Sequence, residues 1–199
     1  MNYDYGKIEI KDLGAEFIRE NISKRTCIEQ KIVLNHSIEY CWDIITKEKH
    51  LELFHPFILR HNGNRLLKNG DKDTITYLNN FSFTREVVYI YNSKKNEEHN
   101  SSLYGYDLLV GRNRKSFVQW ILSDNGNLSS TLTIIIYPHT IDSYSKIYKF
   151  FILNFYLRPQ LKKYLKSVTC GLKFYLETGE NVNKNQFGIH KWFSINYDK

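Results

Sequence analysis

Apolar and polar side chains alternate from Cys27 to Leu34, with Ile28, Gln30, Ile32 and Leu34 on one side and Glu29, Lys31 and Val33 on the other, which predicts a half-buried strand. The period then changes. Ile38, Cys41, Trp42 and Ile45 recur at i, i+3, i+4 and i+7, the apolar stripe of a short helix that Asn35 or Ser37 can cap. A second short helix over about Lys47 to Phe54 must end before Pro56, because the residue preceding proline is pushed out of helical geometry. Six further strands follow, over about 58–67, 74–78, 81–91, 103–110, 115–123 and 128–137. Asn62-Gly63, Asn69-Gly70-Asp71 and Asn125-Gly126 read as tight turns that favour positive φ. An antiparallel meander is the simplest arrangement of such strands.

The last long element is helical, from about Ser143 to Thr178, with Arg158-Pro159 expected to break or kink it. In its second half Leu161, Leu165, Val168, Leu172 and Tyr175 form one stripe, and Gly179 stands at the C-terminal cap. The first half, KIYKFFILNFYL, is apolar on nearly every side, yet far shorter than the ~20 residues needed to cross a bilayer. It reads as a helix packed on the sheet. The alternative is transient contact of Tyr144, Tyr148, Phe151 and Phe155, with the neighbouring lysines, with an anionic membrane surface. Residues 1–25 read as an N-terminal extension with Phe17 and Ile18 as a docking patch, 26–179 as the domain, and 180–199 as a tail anchored by Phe187, Trp192 and Phe193.

Length allows one domain with a core or an internal cavity, and 15 Tyr with 12 Phe supply many rings to line it. Three cysteines without C-x-x-C spacing suggest reduced, buried thiols and a cytoplasmic setting, consistent with an N-terminus that carries no secretory signal. The net charge of +7 is scattered and fits no nucleic-acid-binding module, so no nucleic-acid partner is expected.

One strand, two short helices, six strands and a long C-terminal helix is the order of the helix-grip fold of START domains, birch-pollen-allergen-like proteins and polyketide cyclases, the SRPBCC superfamily. The chain resembles that superfamily from Cys27 to Thr178, through its opening strand, the Ile38/Trp42 helix, the turn at His55 to Phe57 and the terminal amphipathic helix. DTITYLN, GYDLLVG, RKSFVQW and NQFGIHKWFS are similar to a bacterial, polyketide-cyclase-like subgroup. The resemblance implies an α+β fold in which a curved antiparallel sheet of about seven strands wraps the long helix and encloses an apolar cavity. It also implies a hydrophobic or amphipathic small-molecule ligand, such as a lipid or polyketide, and in some members cyclisation or hydrolysis; the leading expectation for this chain is carriage or sensing without chemistry. The alternative is a cyclase-like or hydrolase-like enzyme.

Strand alternation puts Phe83, Arg85, Val87 and Tyr89 on one face of their strand and Tyr104, Tyr106, Leu108 and Val110 on one face of a later one. The candidate ligand-binding residues are Tyr77, Arg85, Tyr89, Tyr106, Trp120 and, on the long helix, Phe151. An inward Arg85 suits a carboxylate or phosphate; an outward one would pair with Glu86 or Asp107. His55 is the candidate acid or base at the cavity mouth, against a purely structural role beside Pro56. Histidines 50, 55 and 61 lack H-E-x-x-H spacing and are separated by a helix end and Pro56, so neither a metal nor a cofactor is expected.

Overall fold

The alternation at Ile28, Gln30, Ile32 and Leu34 becomes the inward face of β1 (Ile28–Leu34) in a computed structural model that describes residues 26–93, 105–112, 116–138 and 145–195. Ser37 caps α1 (Ile38–Thr46), its hydroxyl accepting from the Tyr40 N–H, and α1 buries Ile38, Cys41, Ile44 and Ile45. The short α2 (His50–Phe54) stops at an extended His55, as Pro56 requires. Then come β2 (Ile58–Gly63), β3 (Lys72–Tyr77), β4 (Ser82–Ser93), β5 (Gly105–Arg112), β6 (Ser116–Gly126) and β7 (Ser129–Tyr137). All pairings are antiparallel, in the order β1-β7-β6-β5-β4-β3-β2. The strands β2 to β7 are a meander, and α1 and α2 carry the chain from one edge of the sheet to the other. The curled sheet grips a long C-terminal helix, an α+β helix-grip architecture.

Two turns differ from the sequence expectation. Asn62 and Gly63 end β2 rather than turn, and Gly63 pairs with Asp73 so closely that a Cβ there would sit 2.6 Å from the Asp73 Cβ. The β6–β7 hairpin closes on Asn127 and Leu128, both at positive φ, with Gly126 beside them. All three cysteines are free, but only Cys41 is buried.

The long helix runs as α3 (Lys146–Phe151), a π-helical segment (Ile152–Leu157) and α4 (Arg158–Thr178). Pro159 does not break it. In a continuous α-helix the Pro159 ring would meet the Phe155 carbonyl. Instead the widened turn puts the Arg158 N–H on the Leu153 carbonyl, and Pro159 sits in the first turn of α4, where its missing N–H costs nothing. Packing of this first half on the sheet, expected from its composition, is also corrected. Leu153 is buried, whereas Tyr148, Phe151 and Phe155 face out. The apolar stripe of α4 does enter the core, with Leu161, Leu165, Val168 and Leu172 buried.

α4 crosses the end of α2 at Gly171, where a Cβ would lie 2.1 Å from the Phe54 carbonyl oxygen. Gly171→Ala would gain about 1 kcal/mol of helix propensity. Forcing α4 off a backbone carbonyl costs more, so a net loss of about 2 kcal/mol is expected in urea denaturation. An unchanged or raised midpoint would show that the two helices do not approach here.

Candidate functional site

Inside the curl lies a cavity of about 160 Å³. Its floor is the inward face of the sheet: Ile75 and Tyr77 from β3, Phe83 and Arg85 from β4, Val110 from β5, Val118 and Trp120 from β6, Ile134 and Ile136 from β7. Leu161, Tyr164, Leu165 and Val168 of α4 form the roof, with Leu51 and His55 at one end. Phe81, which is 40% exposed, lines the cavity too and marks its mouth. Phe193 reaches the cavity from the C-terminal segment and stacks on Tyr77 at 4.3 Å. That segment is held to the body by the Val182 N–H on the Leu53 carbonyl, the Asn185 N–H on the Pro56 carbonyl and His190 Nε2 3.1 Å from the Gln160 carbonyl.

Arg85 points inward. Cross-strand pairing sets it opposite Asp73, and the guanidinium donates from Nε to Asp73 Oδ1 at 2.8 Å and from Nη2 to Oδ2. His61 Nε2 lies 2.8 Å from the same Oδ2. Burial pushes the Asp73 carboxyl up, but the Arg85 charge and the hydrogen bonds from Arg85 and His61 outweigh it and hold Asp73 well below the usual carboxylate range. Burial opposes the charge on Arg85 as well, and the Asp73 carboxylate overcomes it, so Arg85 stays a cation. Two of its three nitrogens are spent on Asp73. The third has no hydrogen-bond acceptor among the described residues.

A second polar chain starts from His55, at the Leu51/His55 end of the cavity. The Phe57 N–H donates to His55 Nδ1 at 3.2 Å, so the ring proton sits on Nε2, which donates to the Tyr164 hydroxyl at 2.9 Å. The Tyr164 and Tyr77 hydroxyls are 2.9 Å apart, so one of their two protons is used between them. Burial, then the Arg85 charge, lowers the His55 pKa to about 3. Burial and the neighbouring Tyr77 push the Tyr164 phenol well above its ordinary value. Near neutral pH both groups are therefore uncharged, and His55 is a poor base.

Of the six residues proposed from sequence, the structure brings Tyr77, Arg85 and Trp120 to the cavity wall. It does not bring Tyr89, Tyr106 or Phe151. A β-bulge between Val87 and Tyr89 reverses the alternation of β4, so Phe83, Arg85 and Val87 face in while Tyr89 joins Leu109, Phe117 and Tyr137 on the opposite face, where its hydroxyl accepts from Gln119. Tyr106 faces in but is stacked at 4.6 Å under Trp42, away from the cavity. Phe151 is 55% exposed on α3. Neither outward alternative for Arg85 holds.

Sequence reasoning missed Asp73, Tyr164 and Phe193. It also kept the histidines apart, whereas the His50 and His61 rings meet edge to face at 4.8 Å. No group of three His, Cys, Asp or Glu side chains suited to a metal occurs among the described residues.

No protein-family model matches the sequence, and no curated protein does. Solved structures do match. A hypothetical protein, jhp0584, from Helicobacter pylori is 10% identical, with a TM-score of 0.54 over 79% of this chain and 92% of that one. The di-domain aromatase/cyclase BexL of the BE-7585A biosynthetic pathway is 7% identical, with a TM-score of 0.50 over 75% of this chain. DynU16, from the dynemicin biosynthetic locus, is 15% identical, with a TM-score of 0.48 over 78% of this chain. The chain spans 47% of BexL and 48% of DynU16, about half the length of each. At these identities the likeness shows a shared fold, the helix-grip fold of the superfamily that the sequence resembles.

Proposed function

We propose that the protein binds a small, mainly apolar molecule, about the size of one substituted ring, that presents a hydrogen-bond acceptor to Arg85 and the Tyr77/Tyr164 pair. The observation that carries this reading is the cavity itself: apolar on most sides, with the Arg85 cation and the Tyr77 phenol on its floor and the Tyr164 phenol on its roof. Its volume of about 160 Å³ is the decisive number. A cavity of about 150 Å³ accommodates benzene, whereas drug-sized ligands use roughly 300–1,000 Å³. A whole acyl chain or tetracyclic polyketide would have to open the Phe81/Phe193 mouth; a single ring would not. Because Asp73 neutralises Arg85, one acceptor or one carboxylate suits the wall better than a phosphate dianion.

A cyclase or hydrolase reading loses its candidate acid or base, since His55 is held neutral and committed to Tyr164. Carriage or sensing is the simpler function.

Native mass spectrometry of gently purified protein, with organic extraction of any retained mass, tests the reading directly. Titration with benzoate, p-cresol and palmitate, followed through Trp120 emission, tests the size argument. The ring compounds should bind and palmitate should not. Arg85→Lys keeps a cation on Asp73 but loses the planar fork, and should weaken benzoate binding about tenfold. Protein that is empty and refuses every ring compound would overturn the proposal.

A further inference from the structure

We propose that the exposed aromatic face of α3 and the π-helical segment docks the protein on an anionic lipid surface. Ile147, Tyr148, Phe151 and Phe155 are 71%, 68%, 55% and 72% exposed, and Phe150 and Tyr156 add 58% and 48%. Ile147, Phe151 and Phe155 follow at four-residue steps and so share one side of the helix, and the Phe151 and Phe155 rings stack at 5.8 Å. Leu153 supplies the inward anchor. Six large apolar side chains in ten residues form a patch of a kind that soluble monomers rarely leave facing water.

The charge pattern selects the occupant. From Ser145 to Leu176 there is no Asp or Glu, while Lys146, Lys149, Arg158, Lys162, Lys163, Lys166 and Lys173 are all cationic. Lys162, Lys163 and Lys166 are exposed on the turns that follow the aromatic stretch. A second copy packed by two-fold symmetry would set this positive helix against itself, which disfavours a homodimer. Phenyl and tyrosyl rings beside a row of lysines instead match a surface with an apolar layer beneath anionic headgroups. No described helix is long and apolar enough to cross a membrane, so the contact is peripheral.

Docking here would also touch the cavity. The Trp192 indole donates to the Tyr156 hydroxyl at 3.3 Å, and the next residue, Phe193, lines the cavity. The lipid contact itself stands without any assignment of the cavity ligand.

Flotation of the full chain with phosphatidylcholine vesicles, with and without phosphatidylserine and at low and high salt, tests the proposal. Binding is expected only with phosphatidylserine and should fall as salt rises. Phe151→Ser/Phe155→Ser should lower partitioning at least about tenfold, since two apolar rings are removed from the contact. Circular dichroism should show that variant still folded, because both rings face water. Lys162→Glu/Lys163→Glu should abolish the phosphatidylserine preference. No association at low salt, or undiminished association of the Phe151/Phe155 variant, would overturn the proposal. So would a dimer in sedimentation velocity that this variant dissolves, because the face would then belong to a second copy.

Discussion

Asp73→Ala is expected to cost about 3–5 kcal/mol of stability, a fall in melting temperature of roughly 6–20 °C for a chain of this size. The reason is what the substitution leaves behind. Arg85 is only 7% exposed, and among the described residues the carboxylate that answers its charge is that of Asp73. With that carboxylate gone, a guanidinium that cannot lose its proton remains beside Ile75, Val110 and Trp120 on the cavity wall. Arg85→Met should cost less, because Asp73 keeps its contact with His61 Nε2 at 2.8 Å. Asp73→Leu/Arg85→Met removes both charges and should recover much of the loss, since an apolar pair of similar volume often replaces a buried ion pair without penalty. The double-mutant cycle through Asp73→Leu and Arg85→Met, read by urea denaturation, should therefore give a coupling energy of at least about 2 kcal/mol. If Asp73→Ala unfolds at the wild-type midpoint, Arg85 reaches water or another carboxylate, and the polar wall of the cavity is not as described.

The parts of the fold that rest on side-chain period were legible in the sequence, and the parts that rest on a single backbone irregularity were not. Ile28 to Leu34 and the Leu161/Leu165/Val168/Leu172 stripe face the core as their spacing requires. One inserted residue in β4 was enough to move Tyr89 to the other side of the sheet, and nothing in FTREVVYI marks the bulge. Asp73 was recoverable in principle. Closing the β3–β4 hairpin over Asn79 and Asn80, the latter at positive φ, sets the register so that Asp73 falls opposite Arg85. The sequence expectation begins that strand at Thr74, two residues late. The aromatic helix misled for a different reason: composition alone cannot tell a helix buried on all sides from one that leaves its rings facing out, and the two differ here only in which neighbours exist. Phe193 and Tyr164 reach the cavity from elements far apart in the chain, a closeness visible only after folding.

Acid should begin to destabilise the protein well before its carboxylates titrate. Burial, followed by the Arg85 charge, holds His55 near pKa 3 against an ordinary value of 6.5, and burial with the charges of His61 and Arg85 lowers His50 in the same direction. The unfolded chain therefore takes up protons first as pH falls. Stability is complete above about pH 6.5 and declines from there toward the folded-state pKa, so His55 alone removes about 2 kcal/mol by pH 5. That is a sizeable share of the 5–15 kcal/mol that holds a typical domain together, and His50 adds to it in the same direction. His190, lowered mainly by burial, adds to the same slope. Asp73 has the opposite chemistry: as a carboxylate held low, its contribution persists down to the ordinary carboxylate range and is lost only below about pH 4. The upper half of the acid transition thus belongs to the histidines. Urea midpoints at pH 7.5 and pH 5.0 measure it, and His55→Gln, which keeps a donor toward Tyr164 but cannot ionise, should be less stable at pH 7.5 yet lose less on acidification. If that variant keeps the full wild-type slope, His55 titrates alike in the folded and unfolded chains, and the closed His55–Tyr164–Tyr77 end of the cavity is open to water.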